Sequence, residues 1–237
     1  MGLRTKIKWT DHSWNPWIGC HKKSDGCVNC YMFEGQERWG RDPSVILRCS
    51  PRTFNLPLRI KEPSQVFVCS WSDFFVEEAD PWRSEAWNII KQSPHLTFQI
   101  LTKRPERIVR NLPADWASGW PNVYLGVTIE NSSNLKRTNF LIDIPATIKF
   151  VSAEPLLDDI VIDDDKNALS SMDWIICGCE SGKKCRPTDI NWVRKLRDFC
   201  INAHIPFFLK QLTNDKGEIV IMPELDGQVW GQKPIIK

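Results

Sequence analysis

Three cysteines fall within the stretch Cys20–Tyr31, at Cys20, Cys27 and Cys30, spaced C-x6-C-x2-C. Thiolates are soft ligands suited to zinc or to iron–sulfur clusters. A purely structural zinc site closes with four protein ligands, commonly as two knuckles, and this chain has a single C-x2-C pair. A cubane [4Fe-4S] cluster held by three cysteines leaves one iron open to a further ligand, which would make the loop a reaction centre.

Such a loop must be positioned by the rest of the chain, which has a clear rhythm. Apolar runs at 66–69, 97–101, 123–127, 148–151, 174–177 and 207–209 have the length and composition of buried strands. Ile7 and Trp9, alternating with charged residues, predict a short strand ahead of them, and residues 31–40 predict a helix ending at Gly40. Between the runs lie helix signals. Asp80 is expected to cap one helix, with Pro81 at its first position. Arg104-Pro105 opens another, with Ile108, Val109 and Leu112 turned inward. Asn131 precedes a third carrying Leu135 and Ile142, and Thr188 or Asp189 caps a long one from Trp192 to Ala203. No helix is evident after 148–151. Alternating strands and helices imply βα units on a parallel sheet. The expected fold is α/β, a partial or closed (β/α) barrel of six to seven units in one domain over 1–237, with a cysteine loop at 19–31 and a proline- and arginine-rich excursion at 41–64.

In a parallel barrel the site gathers at the C-terminal ends of the strands. Those ends carry Ser70, Ser72 and Asp73; Lys103; Thr128 and Glu130; Glu154; Gly178 and Glu180; and Lys210. Helix caps and turn residues account for part of this set. They do not account for charged residues at equivalent positions, which suit a ligand bearing both charges, such as an amino-acid moiety. Lys103, Glu130, Glu154, Glu180 and Lys210 are therefore expected to face one cavity with the cysteine loop.

The chain has nine cysteines, no apolar leader at Met1–Lys6 and no apolar run near the length of a membrane span. These features point to a reducing, cytoplasmic setting in which metal ligation or catalysis is favoured over disulfides. Cys69, Cys177 and Cys200 fit a core; Cys179 and Cys185 sit in a polar, glycine-containing loop. The net charge of +2 excludes little, although residues 1–62 hold eleven Lys/Arg against six Asp/Glu and Asp158 to Asp165 is acidic. Both are ordinary for solvated surface. Of twelve tryptophans, most should wall the core or a pocket, leaving an exposed minority able to stack on bases.

Together, Thr5–Asp11 (TKIKWTD), Trp14-Asn15-Pro16, Gly19-Cys20, Gly26-Cys27 and Cys30-Tyr31 resemble the phage Gp37/Gp68 family of three-cysteine, DUF5131-type proteins. Later segments agree: Leu101–Pro105 (LTKRP), Asn122–Glu130 (NVYLGVTIE), Glu154–Leu157 (EPLL), Glu180-Ser181-Gly182, Arg186-Pro187, and Pro206–Phe208 with Lys210-Gln211. That family is similar in turn to radical S-adenosylmethionine (SAM) enzymes. The resemblance implies a TIM-barrel-like partial barrel whose [4Fe-4S] cluster, on Cys20, Cys27 and Cys30, binds SAM and generates a 5′-deoxyadenosyl radical with the help of an electron donor. It further implies that Ser70, Ser72 and Asp73 meet the SAM ammonium, Lys103 or Lys210 its carboxylate, Thr128 and Glu130 the ribose, and Gly178 to Glu180 the adenine. The phage association points to modification or repair of a nucleic acid or nucleotide, in a bacterial or phage-infected cell. The usual radical-SAM loop is C-x3-C-x2-C with an aromatic before its last cysteine; here the first gap is six, and Asn29 precedes Cys30.

Three other readings remain open on the same residues. One is a zinc module on the three cysteines with His21 or another cysteine. A second is a nucleic-acid-binding protein that keeps the cluster as structure and grips phosphates with Lys183, Lys184, Arg186, Arg194 and Arg197. The third is a barrel that has lost the cluster and uses its strand-end charges on another small molecule.

Overall fold

The computed structural model describes residues 4–161, 168–182 and 184–235. Strands β1 (His12–Trp14) and β2 (Trp17–Ile18) precede the cysteine loop, and helix α1 (Tyr31–Arg38) follows it. The excursion pairs back on β2 through β3 (Leu47–Arg48) and carries the short α2 (Pro51–Phe54). Then come β4 (Ser64–Val68), α3 (Asp80–Lys91), β5 (Leu96–Thr102), β6 (Val123–Thr128), α4 (Arg137–Ile142), β7 (Ile148–Ala153), β8 (Trp174–Gly178) and α5 (Ile190–Asn202). The chain ends with β9 (Phe207–Thr213), β10 (Ile219–Ile221) and a small hairpin of β11 (Glu224–Leu225) and β12 (Gln228–Val229).

One sheet has the order β1-β4-β5-β6-β7-β8-β9-β10. Its ladders are parallel from β1 through β9, and β10 closes the edge antiparallel. All six expected strands lie in this sheet, side by side in chain order. The sheet is curled. Strands β4 and β8 are four positions apart, about 19 Å in a flat sheet. Yet the Trp9 ring lies 4.7 Å from Phe67 of β4 and 6.1 Å from Trp174 of β8. The curl stops short of closure, because β1 and β10 are edges with no ladder joining them among the described residues. The fold is a mixed α/β half-barrel. Beneath it the C-terminal stretch crosses over, with Trp174 Nε1 donating to Gln232 O and Lys233 Nζ to Gln65 Oε1.

Strand side chains alternate between two faces. One set (Val66, Val68, Ile100, Leu125, Val151, Ile175, Cys177 and Leu209) packs with the helices in the large core. The other (Phe67, Tyr124, Ile148, Phe150, Trp174, Ile176 and Phe208) fills the hollow around Trp9. Cys177 and Cys200 are buried in the large core. Gly126 lies on the hollow side because Phe150 occupies its side-chain space: a Cβ at Gly126 would come 2.4 Å from the ring. Gly126→Ala is therefore expected to destabilise by about 1–3 kcal/mol through overpacking. Thermal melts should show a lower transition; an unchanged one would mean that the ring has room to move.

Several expectations need correction. The first strand lies at His12–Trp14 rather than at Ile7–Trp9, where Thr10 N turns back to Ile7 O and Trp9 serves as a plug. The stretch after Arg104 forms two short 3-10 turns, not a helix, and Val109 is exposed. Its few residues are cut off by Pro113, and Arg107 is drawn aside to Phe75 O and Asp80. Asp80 does not cap α3; its carboxylate takes Arg83 and Arg107. Lys210 and Gln211 lie within β9 rather than past its end. Of the acidic run, Asp158 bonds Ser132 and Asp159 pairs with Lys195, while 162–167 lie outside the described residues, as does Lys183. No helix among the described residues is long and apolar enough to cross a membrane.

Candidate metal centre

The side-chain alternation that builds the hollow also builds its rim. Counting by twos along each strand, β6 presents Tyr124, Gly126, Thr128 and then Glu130. Likewise β7 presents Ile148, Phe150, Ser152 and Glu154, and β8 presents Trp174, Ile176, Gly178 and Glu180. Leu101 leads to Lys103 on β5, and Phe208 to Lys210 on β9. Each row starts in the apolar plug and ends in a polar or charged group at the C-terminal mouth. A cavity of about 180 Å³ sits there. Cys20, Cys27 and Cys30 line it, as do Ser70, Ser72, Asp73, Lys103, Thr128, Glu154, Glu180 and Lys210. Glu130 and Gly178 lie behind its wall, Glu130 against Gly26 of the loop and Gly178 against Glu154 and Gln211.

The loop is held at both ends and in its middle. Gly19, at φ +95°, starts it; a side chain there would strike Val45 O, and Gly19 N donates to Trp71 O. Ser72 Oγ donates to Gly19 O at 2.6 Å. Arg104 Nη2 donates to His21 O at 2.8 Å and Ser24 Oγ to Glu130 Oε1 at 2.6 Å. Arg186 Nη2 reaches Asp25 O at 2.9 Å, and Asn29 Nδ2 reaches Glu180 Oε2 at 3.1 Å. Thus residues beyond β4, β5, β6 and β8 all grip one loop and draw it across the mouth.

Much of the strand-end charge is already engaged. The Asp73 carboxylate accepts from Phe75 N, Thr102 Oγ1, Lys103 N and Arg104 Nη1. Glu180 receives a fork from Arg186, with Nη2 at 2.5 Å and Nε at 2.9 Å. Glu130, fully buried, takes Arg137 at 2.6 Å and Lys103 at 3.5 Å. Burial pushes the Glu130 carboxyl up, but Lys103, Arg137 and the Ser24 hydroxyl outweigh it and hold its pKa below the ordinary value. Glu154 differs. Ser152 Oγ bonds Oε2, whereas Oε1 is buried without a directed donor. Lys210 Nζ lies 2.7 Å from that oxygen, close enough for attraction but poorly aligned for a hydrogen bond. Glu154 and Lys210 are the pair at this mouth with bonding capacity to spare.

The thiols sit close enough to influence one another's charge. Burial and the Asp73 carboxylate push Cys20 up to about 12, against the opposing Arg104. Burial raises Cys30 as well, opposed by the backbone at Met32 and by Lys103. A metal must displace these protons, so loading should weaken as pH falls. Arg104 Nη1 lies 3.7 Å from Cys20 Sγ, and Lys23 N lies 3.5 Å from Cys27 Sγ. Both are donors suited to thiolate sulfur, and such hydrogen bonds tune a cluster's potential. Among the described residues no three Cys, His, Asp or Glu side chains converge tightly enough to grip a single ion. A cubane asks for something else, three sulfurs spread around a shared space, each on its own iron. Three thiols of one loop around one cavity, with donors at two of them, fit that demand. His21 does not join them; its Nε2 pairs with Glu78 at 2.6 Å.

Cys69, expected in the core, is buried but also borders the cavity, where its φ of +63° turns the chain from β4 into Ser70. Cys179 is buried, and its free thiol donates a hydrogen bond to the half-buried Cys185 thiol. Of the arginines that organise the rim, Arg137 is not singled out by the sequence, and Arg186 is read there as a grip on phosphate rather than as the partner of Glu180. Each stands near its partner in the chain, Arg137 seven residues after Glu130 and Arg186 six after Glu180. That spacing was a usable signal. Searches of curated proteins and of solved structures find no match. A family model matches residues 4–234, and the chain belongs to that family, the proteins of unknown function DUF5131.

Proposed function

We propose that this protein is a radical SAM enzyme whose [4Fe-4S] cluster is held by Cys20, Cys27 and Cys30. One observation carries the reading: three cysteines of one loop share a cavity with Glu154 and Lys210, a part-buried ion pair whose Glu154 Oε1 accepts no directed hydrogen bond. An amino-acid moiety brings the complementary ammonium and carboxylate. When bound, the cluster and SAM supply one-electron cleavage of a sulfonium, chemistry that belongs to the cofactors.

The chain's own residues bind and orient. Glu154 Oε1 accepts from the ligand's ammonium, while Lys210 and Lys103 face its carboxylate. Thr128 offers a hydroxyl to the ribose, and the Gly178–Glu180 wall borders the adenine. Ser70, Ser72 and Asp73 act mainly through the loop: Ser72 fixes Gly19, and Asp73 fixes Arg104 beside Cys20. Trp9, Phe67 and Leu101 form an apolar floor that keeps water from the reacting side.

Equilibrium binding of SAM to the anaerobically reconstituted protein tests this assignment. Glu154→Gln keeps the shape and removes the charge, so it should weaken binding roughly 10- to 100-fold, the worth of a hydrogen bond between charged groups. Its melting temperature should stay close to wild type. Unchanged affinity, or no SAM binding by an iron-loaded wild type, would remove SAM from this cavity. The nucleic-acid-binding reading without SAM chemistry would then be the stronger one.

A further inference from the structure

A second, larger hollow adjoins the cysteine cavity. It lies where the half-barrel fails to close, so its walls come from the two edges of the sheet. Ser13 and Asn15 stand on the β1 side; Lys210, Gln211 and Ile221 stand on the β9–β10 side. Its volume is about 480 Å³. Tyr31, Ser70, Ser181 and Lys210 line both spaces, so one opens into the other.

The charge of this groove is one-sided. Arg4, Lys6 and Lys8 are exposed, and all three line the groove. None of the three forms an ion pair with a described residue, and no carboxylate is among the described residues lining the groove. Beside the cations stands Trp71. Its ring packs on α1 at Gly35, where a Cβ would meet the ring edge at 2.7 Å, and Trp71 lines the groove. Trp39, 66% exposed, tilts against it with ring centroids 6.5 Å apart.

We propose that this seam groove binds single-stranded nucleic acid, its phosphates along Arg4, Lys6 and Lys8 and one base on Trp71 at the entrance to the cysteine cavity. A row of unpaired cations beside a braced aromatic plane is the combination that holds single strands with little regard to sequence. An acidic peptide would use the cations but has no need of the indole. The lateral opening lets a continuous strand lie outside while one nucleotide turns inward, which is how enzymes acting on a base reach their target. This inference names the substrate class of the preceding reading and rests on it for its chemistry, but not for the binding itself.

Fluorescence anisotropy tests it, using labelled single-stranded DNA and RNA of about 15 nucleotides. The probes are titrated into the full chain over a range of salt, and iron and sulfide are measured on the same preparations. Each phosphate contact on a single strand contributes about 0.7 to the salt slope. The triple variant Arg4→Glu, Lys6→Glu, Lys8→Glu should therefore lower that slope by about 2. Trp71→Ala should weaken binding on the order of ten-fold; Trp39→Ala, at an exposed site, gives a second reading where Trp71→Ala fails to fold. Polyglutamate of equal charge should compete poorly. Equal competition by polyglutamate, an unchanged slope in the triple variant, or duplex bound as tightly as single strand would overturn the proposal. Binding with these signatures in a preparation that takes up no iron would uphold the groove and sink the cluster reading, so the two fail separately.

Discussion

Cys27→Ala is expected to abolish cluster uptake. Anaerobic reconstitution with iron and sulfide should give the wild type about four irons per chain and a brown colour, and give this variant almost none. Cys20→Ala and Cys30→Ala should behave alike, because two thiolates hold a cubane poorly. Cys69→Ala is the informative control. Cys69 borders the same cavity and lies near enough to Cys20 for the two to affect each other's charge. A cubane on three cysteines should survive its loss with full iron. A four-thiolate zinc site drawing on Cys69 should not, and would give a colourless zinc protein. Full iron and sulfide in Cys27→Ala would show that the loop is not the cluster site.

The fold was legible where burial alone decides the pattern. Val66–Val68, Val123–Val127 and Trp174–Cys177 are apolar on both faces because helices cover one side and the Trp9 plug covers the other. The mouth was legible for a related reason. Glu130, Glu154 and Glu180 keep the parity of Tyr124, Phe150 and Trp174, and parity fixes which side of a sheet a residue faces. What could not be read was set by contacts distant in sequence. Lys6 to Trp9 has the alternation of a strand, yet the ladder on β4 begins at His12 because Trp9 is needed inside the curl. A charged Lys210 looked like the end of a strand; β9 carries it onward because the hollow there is polar. Nor does periodicity show which charges are already paired. Asp73 and Glu180 look like free ligand groups in a sequence, yet Asp73 accepts from Arg104, which holds the cysteine loop, and Glu180 accepts from Asn29 of that loop.

The other large effect is expected at Glu130 and Arg137. The Glu130 carboxylate is fully buried, and Arg137 Nη1 donates to it and to Thr128 O, both at 2.6 Å. Removing one member of a buried pair leaves the other charge uncompensated and costs about 3–5 kcal/mol. Lys103 and the Ser24 hydroxyl remain on Glu130, so Arg137→Ala should fall near about 3 kcal/mol. In a domain of this size that lowers the melting temperature by about 6–12 °C. The effect should depend on pH with a definite sign. The folded-state pKa of Glu130 lies below its ordinary value. Its contribution is then fully present above the unfolded value of about 4.3 and is lost as pH falls through the folded one. Wild type and Arg137→Ala should differ most near neutrality and converge below that value. A gap that stays constant down to low pH would assign the loss to packing of the arginine stem rather than to the ion pair. Ser24 links this pair directly to the cysteine loop. Arg137→Ala should therefore also lower iron uptake, more than Gly126→Ala does at equal loss of stability, because only Arg137 acts on the carboxylate that holds the loop.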